Sequence, residues 1–115
     1  MLTLTATENK INNIDFFARS AEAFQFLQIA NFKDNKIKQL SSIYAPFIKH
    51  LNLNTNEIFS CSAFRGHLQL QILELRKNQL KDCDGIENLP NLTQLYLAEN
   101  QIKSIKGLKN LPELS

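Results

Sequence analysis

With 115 residues, a net charge of +2 and 21% charged residues, the chain is long enough for one domain and near neutral, so charge gives no reason to expect a nucleic-acid or membrane partner. Its N-terminus lacks the basic-then-apolar form of a signal peptide, and no apolar run approaches the ~18 residues of a membrane span. These properties predict one soluble cytoplasmic domain whose two cysteines are reduced thiols.

Asparagines recur along the chain at intervals of 26, 21, 22 and 22 residues. These repeat asparagines are Asn9, Asn35, Asn56, Asn78 and Asn100. The last two close the pattern LxxLxLxxNx[LI], which starts at Leu70 and again at Leu92. This pattern is typical of leucine-rich repeats, in which a short strand precedes a buried asparagine. We therefore predict a single leucine-rich-repeat domain over residues 1–115, with five turns.

The predicted fold is an α/β solenoid. Each turn contributes one short strand, so the strands stack as a parallel sheet that lines a concave face, with neighbours about 4.8 Å apart. Turns of 21 and 22 residues are too short for a long helix, so the convex side is expected to return through 3₁₀ turns or extended segments. The first turn is longer, and its helix-forming residues predict one short helix at Ala18–Leu27, with Ser20 as its cap.

Alternation along the strands assigns the apolar residues before each asparagine to the core. One continuous core column is expected to contain Leu4, Ala30, Leu51, Leu73 and Leu95. The repeat asparagines are expected to be buried and stacked, each amide bonding backbone groups of its own loop and of the next turn. Losing one such amide would leave backbone groups unsatisfied, at a cost of roughly 1–3 kcal/mol.

The C-terminal sequence LPELS repeats the beginning of a turn. Residues 108–115 are therefore predicted to start an incomplete sixth turn, in which Leu108, Leu111 and Leu114 are left uncovered. Because an uncapped repeat exposes apolar surface and a strand edge, we expect the chain to be part of a longer repeat protein.

Few residues suggest chemistry. His50, His67, Cys61 and Cys83 lack the ligand-pair spacing of a metal site, and there is no glycine-rich phosphate loop. The two cysteines occupy the same repeat position, which indicates small core residues stacked on each other. We therefore predict a non-catalytic protein with no catalytic residue, cofactor or metal, and without a nucleic-acid, membrane or small-molecule ligand.

The concave face is the candidate binding surface. Side chains between the core positions point outward along it and form three columns, one residue per turn. Tyr and Arg in these columns are residue types that anchor interfaces. The predicted partner-binding residues are Ile29, Asn31, Lys33, His50, Asn52, Asn54, Ile72, Glu74, Arg76, Gln94 and Tyr96.

Three stretches, LQIANFKDNKI, LELRKNQLKDCDGIENLP and LTQLYLAENQIKSIKGL, together with the long first turn, resemble the leucine-rich-repeat proteins of the third radial spoke in motile cilia. The similarity runs from Leu4 to Leu114 and is most specific at Phe26–Ile37, where Ala30 and Phe32 depart from the repeat consensus. The flanking repeats and charged C-terminal tail of that family are not in this sequence. The resemblance implies a scaffold in the axonemal cytoskeleton that binds neighbouring spoke-head subunits and supports ciliary motility.

Other readings remain open from the sequence. The rhythm IxxIxGLxxLPxL is shared with the regulatory subunit of phosphatase-1 and with the axonemal dynein light chain, which implies a regulatory adaptor. A spliceosomal repeat protein that binds an RNA-binding partner is a third possibility. An enzyme would need polar residues clustered in a pocket, which a smooth concave sheet does not offer.

Overall fold

The computed structural model describes residues 2–7, 10, 25–41, 45–64, 67–86, 89–103 and 113–114. Within these ranges the chain forms short strands joined by turns and extended segments, and no helix there is long and apolar enough to cross a membrane. The strands are β1 (Leu2–Thr5), β2 (Leu27–Asn31), β3 (Gln39–Ser41), β4 (His50–Asn52), β5 (Ser60–Ala63), β6 (Ile72–Glu74), β7 (Gln94–Tyr96) and β8 (Glu113–Leu114).

Two parallel sheets build the solenoid. The larger has six strands in the order β1-β2-β4-β6-β7-β8, and every neighbouring pair in it is parallel. The smaller pairs β3 with β5, also in parallel, on the return path of the second and third turns. The predicted solenoid with a parallel sheet and extended convex returns is confirmed. The smaller sheet was not predicted, and it shows that two of the return segments pair with each other.

The predicted helix at Ala18–Leu27 is wrong at its C-terminal end. Gln25 and Phe26 form a turn, and Leu27 already begins β2. Leu27 is buried in the core and pairs with Leu2 of β1, so its backbone follows the sheet rather than a helix. Residues 18–24 lie outside the described part of the chain.

The core is built of columns in which equivalent residues of successive turns stack. Ala30, Leu51, Leu73 and Leu95 are each no more than 1% exposed, whereas Leu4 in the first turn is only partly buried. Further columns run parallel to this one through Phe32, Leu53 and Leu75, through Ile37, Ile58 and Leu80, and through Leu40, Cys61 and Cys83. Central turns are therefore covered on both sides.

The repeat asparagines join consecutive turns. Asn78 donates from Nδ2 to the carbonyl oxygens of Leu75 and Arg76 in its own loop, both at 3.1 Å, and of Leu53 in the preceding turn at 3.0 Å. Its Oδ1 accepts from the Ile58 N–H at 3.0 Å. The amide thus bridges to the preceding turn and not, as predicted, to the next one. The reason is that the side chain reaches the Leu53 carbonyl and the Ile58 N–H, which lie beyond the end of the preceding strand.

The same pattern recurs at the other described positions. Asn56 bonds Phe32 and Ile37 of the preceding turn, and Asn100 bonds Leu75 and Leu80. Burial differs along the series, because Asn35, Asn56 and Asn78 are buried and Asn100 is half-buried. Asn9 lies outside the described residues.

A left-handed residue precedes each of these four asparagines. Asp34, Thr55, Lys77 and Glu99 have φ values of 62°, 58°, 57° and 60°. Such a conformation costs a non-glycine residue roughly 1–2 kcal/mol. It is held by bonds between turns, since the N–H of Thr55 donates to the Arg76 carbonyl and that of Lys77 to the Ala98 carbonyl. The sharp turn aims the following asparagine into the core.

His67 is a buried polar residue outside the asparagine series, on the return path. It is 2% exposed and its ring stacks on Phe64, with 4.3 Å between centroids. Burial lowers the pKa of His67 to about 4 from its usual 6.5, because the charged imidazolium is disfavoured away from water.

Acid is therefore expected to destabilise the fold through His67. The unfolded chain takes up the proton near pH 6.5 and the folded chain only near pH 4, so stability falls as the pH drops through this window. At pH 5 the loss from this residue is roughly 2 kcal/mol. Urea unfolding at a series of pH values measures it. The variant His67→Phe is expected to lose this dependence and His50→Gln to retain it, and an unchanged slope in His67→Phe would contradict the assignment.

Candidate functional site

Register between the strands places the predicted concave residues in columns. Ile29, His50, Ile72 and Gln94 lie opposite one another across β2, β4, β6 and β7. Asn31, Asn52, Glu74 and Tyr96 form the next column in the same way. All eight are partly exposed, while the residues between them are buried. These side chains of separate repeats therefore share one surface, which we call the concave face.

Glu74 is the centre of a polar network on this face. Its Oε2 lies 2.6 Å from His50 Nε2, and its Oε1 accepts from Asn54 Nδ2 at 3.1 Å and from Arg76 Nη1 at 3.4 Å. The carboxylate side chain is only 15% exposed. Because three neighbouring groups from two turns converge on it, the negative charge of Glu74 is largely satisfied within the protein.

Arg76 is held between Glu74 and an aromatic ring. Its guanidinium carbon lies 4.1 Å from the centre of the Tyr96 ring, which is the geometry of a cation–π contact. The Tyr96 hydroxyl in turn donates to Gln94 Oε1 at 2.8 Å. The Arg76 side chain remains 38% exposed. The guanidinium is therefore both fixed in position and accessible from solvent.

Asn54 differs from the prediction. It is 8% exposed, and its amide is used inside the protein, where Oδ1 accepts from the Arg76 N–H at 2.8 Å and Nδ2 donates to Glu74. Short amide side chains at strand ends commonly bond nearby backbone in this way. Asn54 therefore positions Glu74 and Arg76, and it presents little surface to a partner.

Residues 69–114 match the family model described as leucine-rich repeats, two copies. The chain carries leucine-rich repeats. No curated protein matches the chain in sequence. The matched segment includes β6 and β7 and so covers Glu74, Arg76 and Tyr96, whereas β2 and β4 extend the same sheet on the N-terminal side of the match.

The remaining concave residues of the leucine-rich repeats differ in character. Lys33 is exposed and lies in the column of Arg76, two turns earlier. Ile29 and Ile72 are half-buried apolar side chains at the opposite edge of the face, on either side of His50. Asn31 and Asn52 each bond backbone two residues on, at Lys33 and Asn54. The face thus combines a fixed polar centre, the exposed cation Lys33 and an apolar margin.

Cys61 and Cys83 are buried and reduced within the leucine-rich-repeat core. Burial raises the pKa of the Cys61 thiol to about 12, with further contributions from Cys83 and Asp82. A thiol of this pKa stays protonated at neutral pH and is a poor nucleophile or metal ligand. Among the described residues there is no cluster of three or more His, Cys, Asp or Glu that would hold a metal ion.

Polar convergence at Glu74 was missed by reasoning on single residues. His50 and Glu74 are 24 residues apart, so they occupy neighbouring turns and neighbouring columns and meet diagonally. The sequence did contain the signal, because the 22-residue period places both on the same face. Only the choice of rotamers, which the structure supplies, shows that they bond each other.

Proposed function

We propose that this chain is a non-catalytic scaffold that binds another protein through its concave face, centred on Glu74, Arg76 and Tyr96. The observation that carries the proposal is the exposed guanidinium of Arg76, which Tyr96 and Glu74 hold in one position. An arginine that is already held in place loses less conformational entropy when a partner binds, so the free-energy cost of binding is smaller. Leucine-rich repeats commonly present such side chains on an extended curved surface for protein recognition.

Residue types at the centre of this face support the same proposal. Tyr and Arg are enriched among residues whose truncation weakens protein–protein binding most, and half-buried Ile72 supplies apolar area beside them. Their setting is a sheet whose turns are tied together by the asparagine bonds, so the surface is rigid. A rigid face with a fixed polar centre supports recognition rather than catalysis.

Replacing Arg76 and Tyr96 together by alanine is expected to leave the fold intact, because neither side chain belongs to the core. Binding to the partner is expected to weaken by roughly 2 kcal/mol or more, the usual cost of removing such anchors. The measurement is quantitative mass spectrometry of proteins retained by the wild-type and doubly substituted chains, followed by titration calorimetry with each retained protein. Circular dichroism establishes equal folded content.

The matched control is Phe59→Ala with Lys81→Ala. This pair also removes one aromatic ring and one cation, from exposed side chains that do not belong to the concave columns. Proteins retained by the wild type and the control, but lost with Arg76→Ala and Tyr96→Ala, are the expected result. Equal retention by all three chains would remove the concave face from the proposed function.

We also propose, from the sequence resemblance, that the partner is a neighbouring subunit in the head of a ciliary radial spoke, and that the protein resides in the axoneme of motile cilia. Support for this comes from the segment Phe26–Ile37, where Ala30 and Phe32 depart from the repeat consensus. The test is fractionation of ciliated cells with an antibody to this chain. Recovery with intact spokes is expected, and recovery only from cytosol, or with phosphatase-1, would overturn the ciliary assignment.

A further inference from the structure

The charges on the concave face do not cancel towards solvent. Its acid, Glu74, is 15% exposed and already accepts from His50, Asn54 and Arg76. Its cations are more accessible, since Arg76 is 38% exposed and Lys33 is exposed and forms no ion pair within the described residues. On these three residues a partner therefore meets accessible positive charge and very little accessible negative charge.

Arg76 has hydrogen-bonding capacity left over. A guanidinium carries five N–H donors in a planar fork, and the contact with Glu74 uses Nη1 only. Tyr96 covers one of its faces, which fixes the plane of the fork. The remaining donors, on an accessible side chain, match the two oxygens of a carboxylate.

Lys33 supplies a second point of positive charge at a defined distance. It stands in the same column as Arg76 with Asn54 between them, so two turns, about 10 Å, separate the backbones. Two anions on one chain would engage both cations at this separation. One compact anion such as a phosphate group would not reach both, and Glu74 beside Arg76 disfavours the doubly charged form of a phosphate.

We propose that the concave face binds an acidic segment of a partner protein, in which one Asp or Glu carboxylate bonds the Arg76 fork and a second acidic residue pairs with Lys33. An apolar side chain of the same segment packs at the margin formed by Ile29 and Ile72. This inference rests on the proposed scaffold function and adds the chemistry of the bound segment. Phosphorylated segments are an outcome of the test.

The test is selection of phage-displayed random peptides on the immobilised chain, followed by fluorescence anisotropy with the enriched peptides. Enriched peptides are expected to contain Asp or Glu more often than the starting library. Their affinity is expected to fall roughly tenfold or more in Arg76→Gln and again in Arg76→Gln with Lys33→Gln. Arg76→Lys, which keeps the charge but not the fork, is expected to lie between wild type and Arg76→Gln.

Three results would overturn the proposal, and they differ in meaning. Peptides that bind the concave face without acidic residues, losing affinity in Tyr96→Ala but not in Arg76→Gln, would remove the acidic segment and leave the scaffold function standing. Tighter binding when each Glu is exchanged for phosphoserine would assign the face to phosphorylated partners. Enriched peptides that bind wild type and Arg76→Ala with Tyr96→Ala equally, or no enrichment at all, would count against both the segment and the proposed function.

Discussion

Gly85→Ala is expected to destabilise this protein by roughly 3 kcal/mol or more, because two independent costs add. Gly85 has a φ of 95°, a backbone conformation that residues with a side chain rarely adopt. It also packs directly on the preceding turn, where an added Cβ would lie 1.9 Å from the Cys61 carbonyl oxygen and 2.8 Å from its carbon. This steric clash is relieved only if the backbones of the two turns move apart. The measurement is the urea midpoint of unfolding.

Asp84→Ala is the matched control for Gly85→Ala. It also leaves an alanine in this turn, one residue earlier and at an exposed position, but by removing a carboxylate and without adding a Cβ. A change within about 0.5 kcal/mol is expected there. If Gly85→Ala were as mild as Asp84→Ala, the close approach between these turns would be wrong.

Asn78→Ala is the second large effect that we expect, at roughly 3 kcal/mol. All three carbonyl groups that Asn78 bonds keep another donor. Asn56 also bonds Leu53, Asn100 also bonds Leu75, and the Thr55 N–H bonds Arg76. The Ile58 N–H, however, has Asn78 as its acceptor and is left buried without one. The orphaned donor and four lost bonds together set the cost, which chemical denaturation measures.

Asn100→Ala serves as the comparison for Asn78→Ala. The two asparagines make equivalent bonds, but Asn100 is half-buried, so water can replace part of what its amide supplies. We expect the loss at Asn100 to be about half of that at Asn78. Equal losses at the two positions would show that burial does not control the strength of the asparagine bonds.

The spacing of the asparagines was enough to predict the parallel sheet and its register. A period of 22 residues puts Leu73 opposite Leu95, and a slip of one residue would turn every core leucine to solvent, so few alternatives existed. The same alternation predicts which residues of each strand are buried in the core and which are partly exposed. The less regular turn that ends at Asn35 was also correctly placed, because Ala30 and Phe32 fill the positions of leucines at the same spacing before the repeat asparagine.

The structural features that the sequence did not predict depend on contacts between backbones and on side-chain rotamers. The approach of Gly85 to Cys61 is set by the path of two return segments, and nothing in local composition encodes that distance. Helix propensity of the residues before Leu27 predicts that the helix continues to Leu27. In the structure Leu27 begins β2, because it pairs with Leu2 of β1, and this pairing cannot be read from local propensity. Alternation along β4 predicts Asn54 at the surface, but Asn54 lies two residues beyond the end of this strand, where alternation need not hold.

The parallel register also limits how a partner can follow the sheet. Successive side chains within one column of the concave face repeat at the strand spacing, about 4.8 Å, along the axis of the stack. A β-strand laid along that axis presents side chains on one face every ~6.6 Å, so it shifts by about 1.8 Å relative to the repeats at each turn of the solenoid. An α-helix, with a pitch of 5.4 Å, stays within about 2 Å of the columns across three turns. Along the stack, the side chains of a helical partner would therefore stay closer in register with those of the concave face than the side chains of an extended partner would.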